Sequence, residues 1–191
     1  MVDTPPQYRL TARDALPGFA CTAGSTTLRA ITGLGIVSLA VPADRRAAFE
    51  RAIQTAYHMA VPRTGHAAVT PDQGIRLIGT APGHYLLLGT AEGLLLNAVS
   101  AIGDAACFTD QSDAWVILEL SGTLSRSVLS RSCMLDLHPA VFSVHQSAPT
   151  RIEHVTAHIT RIGEHHYTIQ SPRSSAESLA QALENTLKLI G

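Results

Sequence analysis

Lysine is almost absent from this chain: Lys188 stands alone among fourteen cationic side chains, the rest being arginine. There is no basic excess either, since those fourteen face fifteen Asp and Glu for a formal charge of −1. This excludes the electrostatic footprint with which a nucleic-acid-binding domain meets phosphates. Arginine suits desolvated, bidentate pairing better than lysine, but a biased genome composition produces the same count. Charge of both signs is scarce, at 15% of residues against 46% hydrophobic, with a mean hydropathy of +0.15. Part of so lean a surface is expected to lie under a partner. Cysteine is scarce as well. Cys21, Cys107 and Cys133 are odd in number, widely spaced and without a CxxC pair. That argues against a disulfide framework or a zinc knuckle and fits a reducing cytoplasm. The opening MVDTPPQYRL has no positive region followed by an apolar core, so no secretory signal is read there. The most lipid-like run, YLLLGTAEGLLLNAVSAIG at 85–103, carries Glu92 near its centre beside Gly89 and Gly93. Such a run is costly in hydrocarbon, so it is read as a buried strand entering a helix, and no membrane contact is expected.

What is present is a chain of 191 residues, long enough to bury a core by packing alone. Residues 1–26 hold three prolines and two glycines among small polar residues and read as an extended N-terminal arm. From 27 onwards the pattern is that of one domain made of two similar halves, 27–105 and 106–191. TLRAITGLGIVSLAVP (27–42) is β-branched and aliphatic. The next segment sets Phe49, Ile53, Ala56, Tyr57 and Ala60 at helical spacing and stops at Val61-Pro62. IRLIGTAPGHYLLLG (75–89) reads as a hairpin around Pro-Gly, and Leu94, Leu95, Ala98 and Ile102 as a helix ended by Gly103. A strand over 114–122, a helix over 123–133, further strands and a final helix over 174–190 complete the order.

The second half repeats the first. VSLAVPADRRAAF (37–49) superposes on ILELSGTLSRSVL (117–129), and GTAPGHYLLL (79–88) on RIGEHHYTIQ (161–170), which sets His84-Tyr85 on His166-Tyr167. The expected fold is therefore α+β, two ferredoxin-like strand–helix–hairpin–helix halves with pseudo-two-fold symmetry, each covering one sheet face with helices and offering the other to its partner.

Motifs that carry chemistry are few. Nine histidines raise the question of a metal, yet no spacing answers it. His154 and His158 are four apart, but RIEHVTAHIT alternates like a strand, with Ile152, His154, Thr156 and His158 on an outward face. GLGIVS (33–38) holds two glycines of a dinucleotide fingerprint and Ser38 in place of the third. Neither a nucleophile elbow nor a phosphate loop occurs, and Trp115 reads as core rather than as a ligand-stacking residue. No catalytic, cofactor or metal residue is assigned.

The densest polar cluster is CMLDLHPAVF (133–142). Its alternation sends Asp136 and His138 one way and Leu135 and Leu137 the other, with Asp136 turning the backbone and Pro139 fixing the exit. A structural corner accounts for these residues, because nothing local beyond Arg131 would activate the Cys133 thiol. Arg131, Asp136, His138 and Pro139 are taken as candidate partner-interface residues.

DQSDAWVILELSG (110–122), a helix, and then SRSCMLDLHPAVF (130–142) resemble the signature region of the gamma subunit of heterotetrameric sarcosine oxidase, where a strand ending in Leu-Ser-Gly leads to a Gly-Cys-Pro-Leu-Asp-Leu-His-Pro corner. The likeness extends over roughly residues 30–190, including APGHYLLLG and SPRSSAESLAQAL. Ser132, Met134, Tyr85 and Ser175 depart from the family pattern, which leaves open a sister complex acting on another N-methylated or secondary amine. The resemblance implies a fold like the folate-binding domain of the glycine-cleavage aminomethyltransferase, and alpha, beta and delta subunits as partners. It further implies that those subunits hold FAD, FMN, NAD, zinc and the tetrahydrofolate site. The complex would oxidise sarcosine to glycine, yielding hydrogen peroxide and passing the one-carbon unit to tetrahydrofolate. The same fold would also suit a free-standing folate-binding protein with a carboxylate in a pterin pocket, for which Asp104, Asp110, Asp113 and Glu119 are the nearest by position. A flavoprotein fragment with its own redox activity finds no dinucleotide motif to support it.

Overall fold

The run Trp115–Ser121 is apolar at nearly every position rather than at alternate ones, the pattern of a strand covered on both faces. In the computed structural model, which describes residues 13–191, that strand lies at the middle of an α+β architecture of two antiparallel sheets and four helices. The elements are β1 (Ala20–Ala23), β2 (Thr26–Ile31), β3 (Leu34–Ala40), α1 (Arg46–Tyr57), β4 (Ala67–Val69), β5 (Arg76–Ala81), β6 (His84–Thr90), α2 (Leu94–Ile102) and β7 (Cys107–Asp110). They continue with β8 (Trp115–Ser121), α3 (Ser125–Ser132), β9 (Ser147–Ile152), β10 (Val155–Gly163), β11 (His166–Pro172) and α4 (Ala176–Ile190). One sheet runs β1-β2-β8-β11-β10-β9 and the other β4-β5-β6-β3-β7.

Strand alternation sorts the side chains into three layers. Val116, Leu118 and Leu120 of β8, with Tyr167 and Ile169 of β11, pack with α3 and α4 around Leu129, Leu179, Leu183 and Leu187. Val37 and Leu39 of β3, with Leu77, Tyr85 and Leu87 of the β5–β6 hairpin, pack with α1 and α2 around Phe49, Ile53 and Ala98. The Phe49 and Tyr85 rings stack there with centroids 5.2 Å apart. Intervening residues point the other way, and Ile36, Ile78, Leu88 and Ile117 make a smaller cluster where the sheets face each other. The expected helices and the 75–89 hairpin are all present, each within a few residues of its sequence reading.

The structure differs from the sequence reading, or adds to it, at three places. The arm read over 1–26 ends inside the fold, since Leu16 is 9% exposed in a core and β1 pairs with β2 along Ala20↔Arg29 to Ala23↔Thr26. Its first twelve residues lie outside the described residues. The 27–42 segment is two strands in different sheets, turned at Gly33, whose φ of +72° is one that glycine adopts without penalty. Each half also lends a strand to the other's sheet: β2 pairs with β8, and β7 with β3. Without them, β8 and β3 would each present an unpaired edge.

Pairing shifts between Gly79 and Ala81 in the β5–β6 hairpin and between Arg161 and Gly163 in the β10–β11 hairpin, and Tyr85 and Tyr167 both point into a helix-covered core.

Candidate functional site

Two places concentrate polar side chains: the corner after α3 and the space between the sheets. At the corner, Cys133 ends α3 and bridges to Ile152. Asp136 Oδ1 accepts the His138 N–H at 2.9 Å, and His138 Nδ1 accepts the Ala140 N–H at 3.3 Å. The His138 carbonyl then takes the N–H groups of Val141 and Phe142, both at 2.8 Å. These bonds close a tight turn through the Asp136 and His138 side chains and the backbone that follows, an alternative to helix that Asp and Pro favour. Asp136, His138, Pro139 and Arg131 are all exposed, as expected for this corner, while Leu137 is 1% exposed and Leu135 half-buried against the core. Burial pushes the Cys133 thiol up, away from thiolate character, which agrees with a structural role.

Sequence reasoning missed what holds the corner down. Arg161, a charged residue within β10, is 5% exposed, and its guanidinium donates to the carbonyls of Phe142 (2.7 Å), Gly163 (3.1 Å) and Glu164 (2.9 Å). The fork thereby ties the corner to the β10–β11 hairpin. Alternation sets it on the core face of β10 with Ala157 and Ile159, opposite Tyr167, but nothing local in the sequence names the carbonyls that its guanidinium meets there.

Between the sheets, Glu119 is buried with both carboxylate oxygens engaged, Oε2 by Arg29 and Oε1 by His166. Of the four carboxylates weighed for a ligand pocket, Glu119 is the one that faces this cleft as a buried group. Asp110 instead binds the Ser112 N–H (2.9 Å) and hydroxyl (2.7 Å), which lower its pKa, and Asp104 and Asp113 are exposed. The histidine pairs also separate. A turn at Glu153-His154 divides β9 from β10, so Ile152 is core rather than outward, and His158 faces a neighbouring hollow beside Leu86 and Trp115 with Nδ1 3.1 Å from Ser147 Oγ. His165 is exposed beside Glu164 while His166 meets Glu119.

Burial lowers the pKa of His158, which favours its neutral form in the fold. The unfolded chain, with the ordinary value near 6.5, then binds the extra proton. Stability is therefore full above that value and falls as pH drops through it, by at most about 1.4 kcal/mol per pH unit for one proton. Denaturant unfolding at stepped pH should show this fall in the wild type and a smaller one in His158→Gln; equal slopes would refute it.

The residues do not fit a dinucleotide or a zinc ion. Gly33 turns the chain between β2 and β3, and Gly35 lies within β3, where a Cβ would come 2.9 Å from Ala91 Cα, so the two glycines serve turning and packing. The β3–α1 connection offers Pro42-Ala43-Asp44 where a phosphate cradle needs glycine. Among the described residues no three His, Cys, Asp or Glu side chains converge.

No family model matches the chain. A sarcosine oxidase gamma subunit of Arthrobacter sp is 31% identical over 147 residues, spanning 75% of this chain and 70% of that one. Another from Corynebacterium sp. (strain P-1) is 32% identical over 158 residues, spanning 81% and 75%. The chain belongs to the sarcosine oxidase gamma-subunit family. Its fold superposes on a chain of the heterotetrameric sarcosine oxidase from Corynebacterium sp. U-96, solved in complex with pyrrole 2-carboxylate, with a TM-score of 0.75 at 26% identity over 87% of this chain and 86% of that one. Aminomethyltransferase T of the glycine cleavage system from Bartonella henselae shares the fold at a TM-score of 0.59 and 18% identity, with 83% of this chain matching 45% of that one.

Proposed function

We propose that this chain is the gamma subunit of a heterotetrameric sarcosine oxidase-type complex, that it supplies no catalytic group, and that the corner at 133–142 is where it meets one of the larger subunits. Kinship with named gamma subunits over most of the chain carries the reading. The corner supports the placement: Met134 is 98% exposed, Val141 and Val144 are exposed a few residues on, and Arg131, Asp136, His138 and Pro139 surround them. Solvent-facing apolar groups interleaved with polar ones on a rigid turn suit a desolvated contact with a polar rim. Alpha, beta and delta subunits are the partners in this reading, flavins, NAD, zinc and tetrahydrofolate are theirs to hold, and the cytoplasm is the setting. The paired sheet orders and matched bulges support two halves, 27–105 and 106–191, related by a pseudo-two-fold axis, each ferredoxin-like with one strand exchanged.

Affinity purification of the tagged chain from its native host should bring down three further subunits with flavin absorbance. In the same assay His138→Ala should weaken assembly, because a partner group loses its match in a desolvated contact, at a cost of about 1–3 kcal/mol. Its free chain should unfold within about 0.5 kcal/mol of the wild type, as surface substitutions do. A chain that purifies alone and binds tetrahydrofolate one-to-one would instead establish a free-standing folate protein. An early-melting His138→Ala chain whose folded fraction still assembles would place that residue inside the fold.

A further inference from the structure

The cleft between the sheets, about 270 Å³, is walled by Ile31, Leu34, Ile78, Leu88 and Ile117. Into it run the half-buried Arg76 of β5 and the buried Gln170 of β11, one from each sheet. Arg76 Nε and Gln170 Nε2 are enclosed with no hydrogen-bond partner among the described residues. Buried side-chain polar atoms are nearly always paired, so two orphans in one cleft ask for a third party. Both are N–H donors, and what they lack is an acceptor.

Charge narrows the choice. Burial lowers the pKa of Arg76, against a smaller opposing pull from Glu119, yet a guanidinium still carries its charge at neutral pH. Glu119 is nonetheless unavailable as its contact partner, its two oxygens being taken by Arg29 and His166. A half-buried cation whose Nε is enclosed without an acceptor is costly, and a planar carboxylate matches the edge of a guanidinium. Glu119 beside it disfavours a doubly charged anion such as phosphate. The volume lies just below the roughly 300–1,000 Å³ of pockets for drug-sized ligands, and the aliphatic walls favour a hydrocarbon body.

We propose that this inter-sheet cleft binds a small monocarboxylate with a short branched hydrocarbon body, its carboxylate on Arg76 and Gln170 and its body against Ile78, Leu88 and Ile117. The site is independent of the assembly reading above and uses none of the corner residues. The probe is isovalerate, titrated calorimetrically into the full chain at neutral pH. Saturable one-to-one binding is expected, with isovaleramide, the uncharged isostere, at least tenfold weaker (about 1.4 kcal/mol). Arg76→Met should lose at least tenfold, while His138→Ala should bind as the wild type does. Absence of saturation by about 20 mM, far above a millimolar Kd, would overturn the proposal. So would equal affinity for the amide, a result read on wild-type protein whatever the stability of the Arg76 variant.

Discussion

Replacing Arg161 with alanine is expected to lower the unfolding free energy by roughly 3–5 kcal/mol, the worth of about two charge-assisted hydrogen bonds. The guanidinium makes three, but they are not equivalent. Gly163 and Glu164 sit at a turn where water replaces the lost donor, whereas Phe142 is buried and its carbonyl would be stranded. For a chain of this size the loss corresponds to a midpoint about 10 °C lower. Arg161→Met separates the causes. It keeps the bulk of the aliphatic stem and removes the guanidinium, its donors together with its place 6.0 Å over the Tyr167 ring centroid. Nearly the full loss is expected from it. A methionine variant melting with the wild type would mean that the stem, and not the fork, holds the corner. Hydrogen exchange should also show faster opening at residues 136–142 in both variants.

Gly122→Ala should cost about as much, for a different reason. Gly122 has φ of +119°, and an added Cβ would fall within 2.5 Å of Thr26 Cα and against the Ser25 carbonyl. The position joins four elements: its N–H donates to the His165 carbonyl at 2.9 Å, its own carbonyl accepts from Ser125 at 3.0 Å, and β2 begins beside it. Conformational strain of about 1–3 kcal/mol and overpacking of about 1–3 kcal/mol act together, for a loss of about 4 kcal/mol. Gly103→Ala isolates the first contribution, since φ is +56° there but nothing lies within 4 Å of its Cβ. A markedly smaller loss at 103 than at 122, by urea unfolding of the two variants, is the expected result. Equal losses would show that backbone strain alone explains Gly122 and that the close approach of β2 contributes nothing.

Several features of this protein are settled by near neighbours in the chain. The 3.6-residue spacing of Phe49 and Ile53 against charged neighbours suffices for α1, and Pro82-Gly83 between two aliphatic runs suffices for the β5–β6 hairpin. Alternation through Asp136, Leu137 and His138, with Pro139 after them, determines which side chains of the corner face water. Family membership is legible in the same stretch. Pairing over long separations is another matter. Nothing in TLRAI says that it pairs with Leu118 and Ile117 rather than with its own neighbour β3, because strand propensity describes a half-buried surface and not a partner. Once β2 and β7 are exchanged between the sheets, an inner layer exists, and that layer alone decides the roles of Glu119, His158, Arg76 and Gln170. Arg161 follows the same rule: alternation with Ala157 and Ile159 puts it on the core face of β10, but only the tertiary approach of the corner supplies the carbonyl of Phe142 that its guanidinium meets.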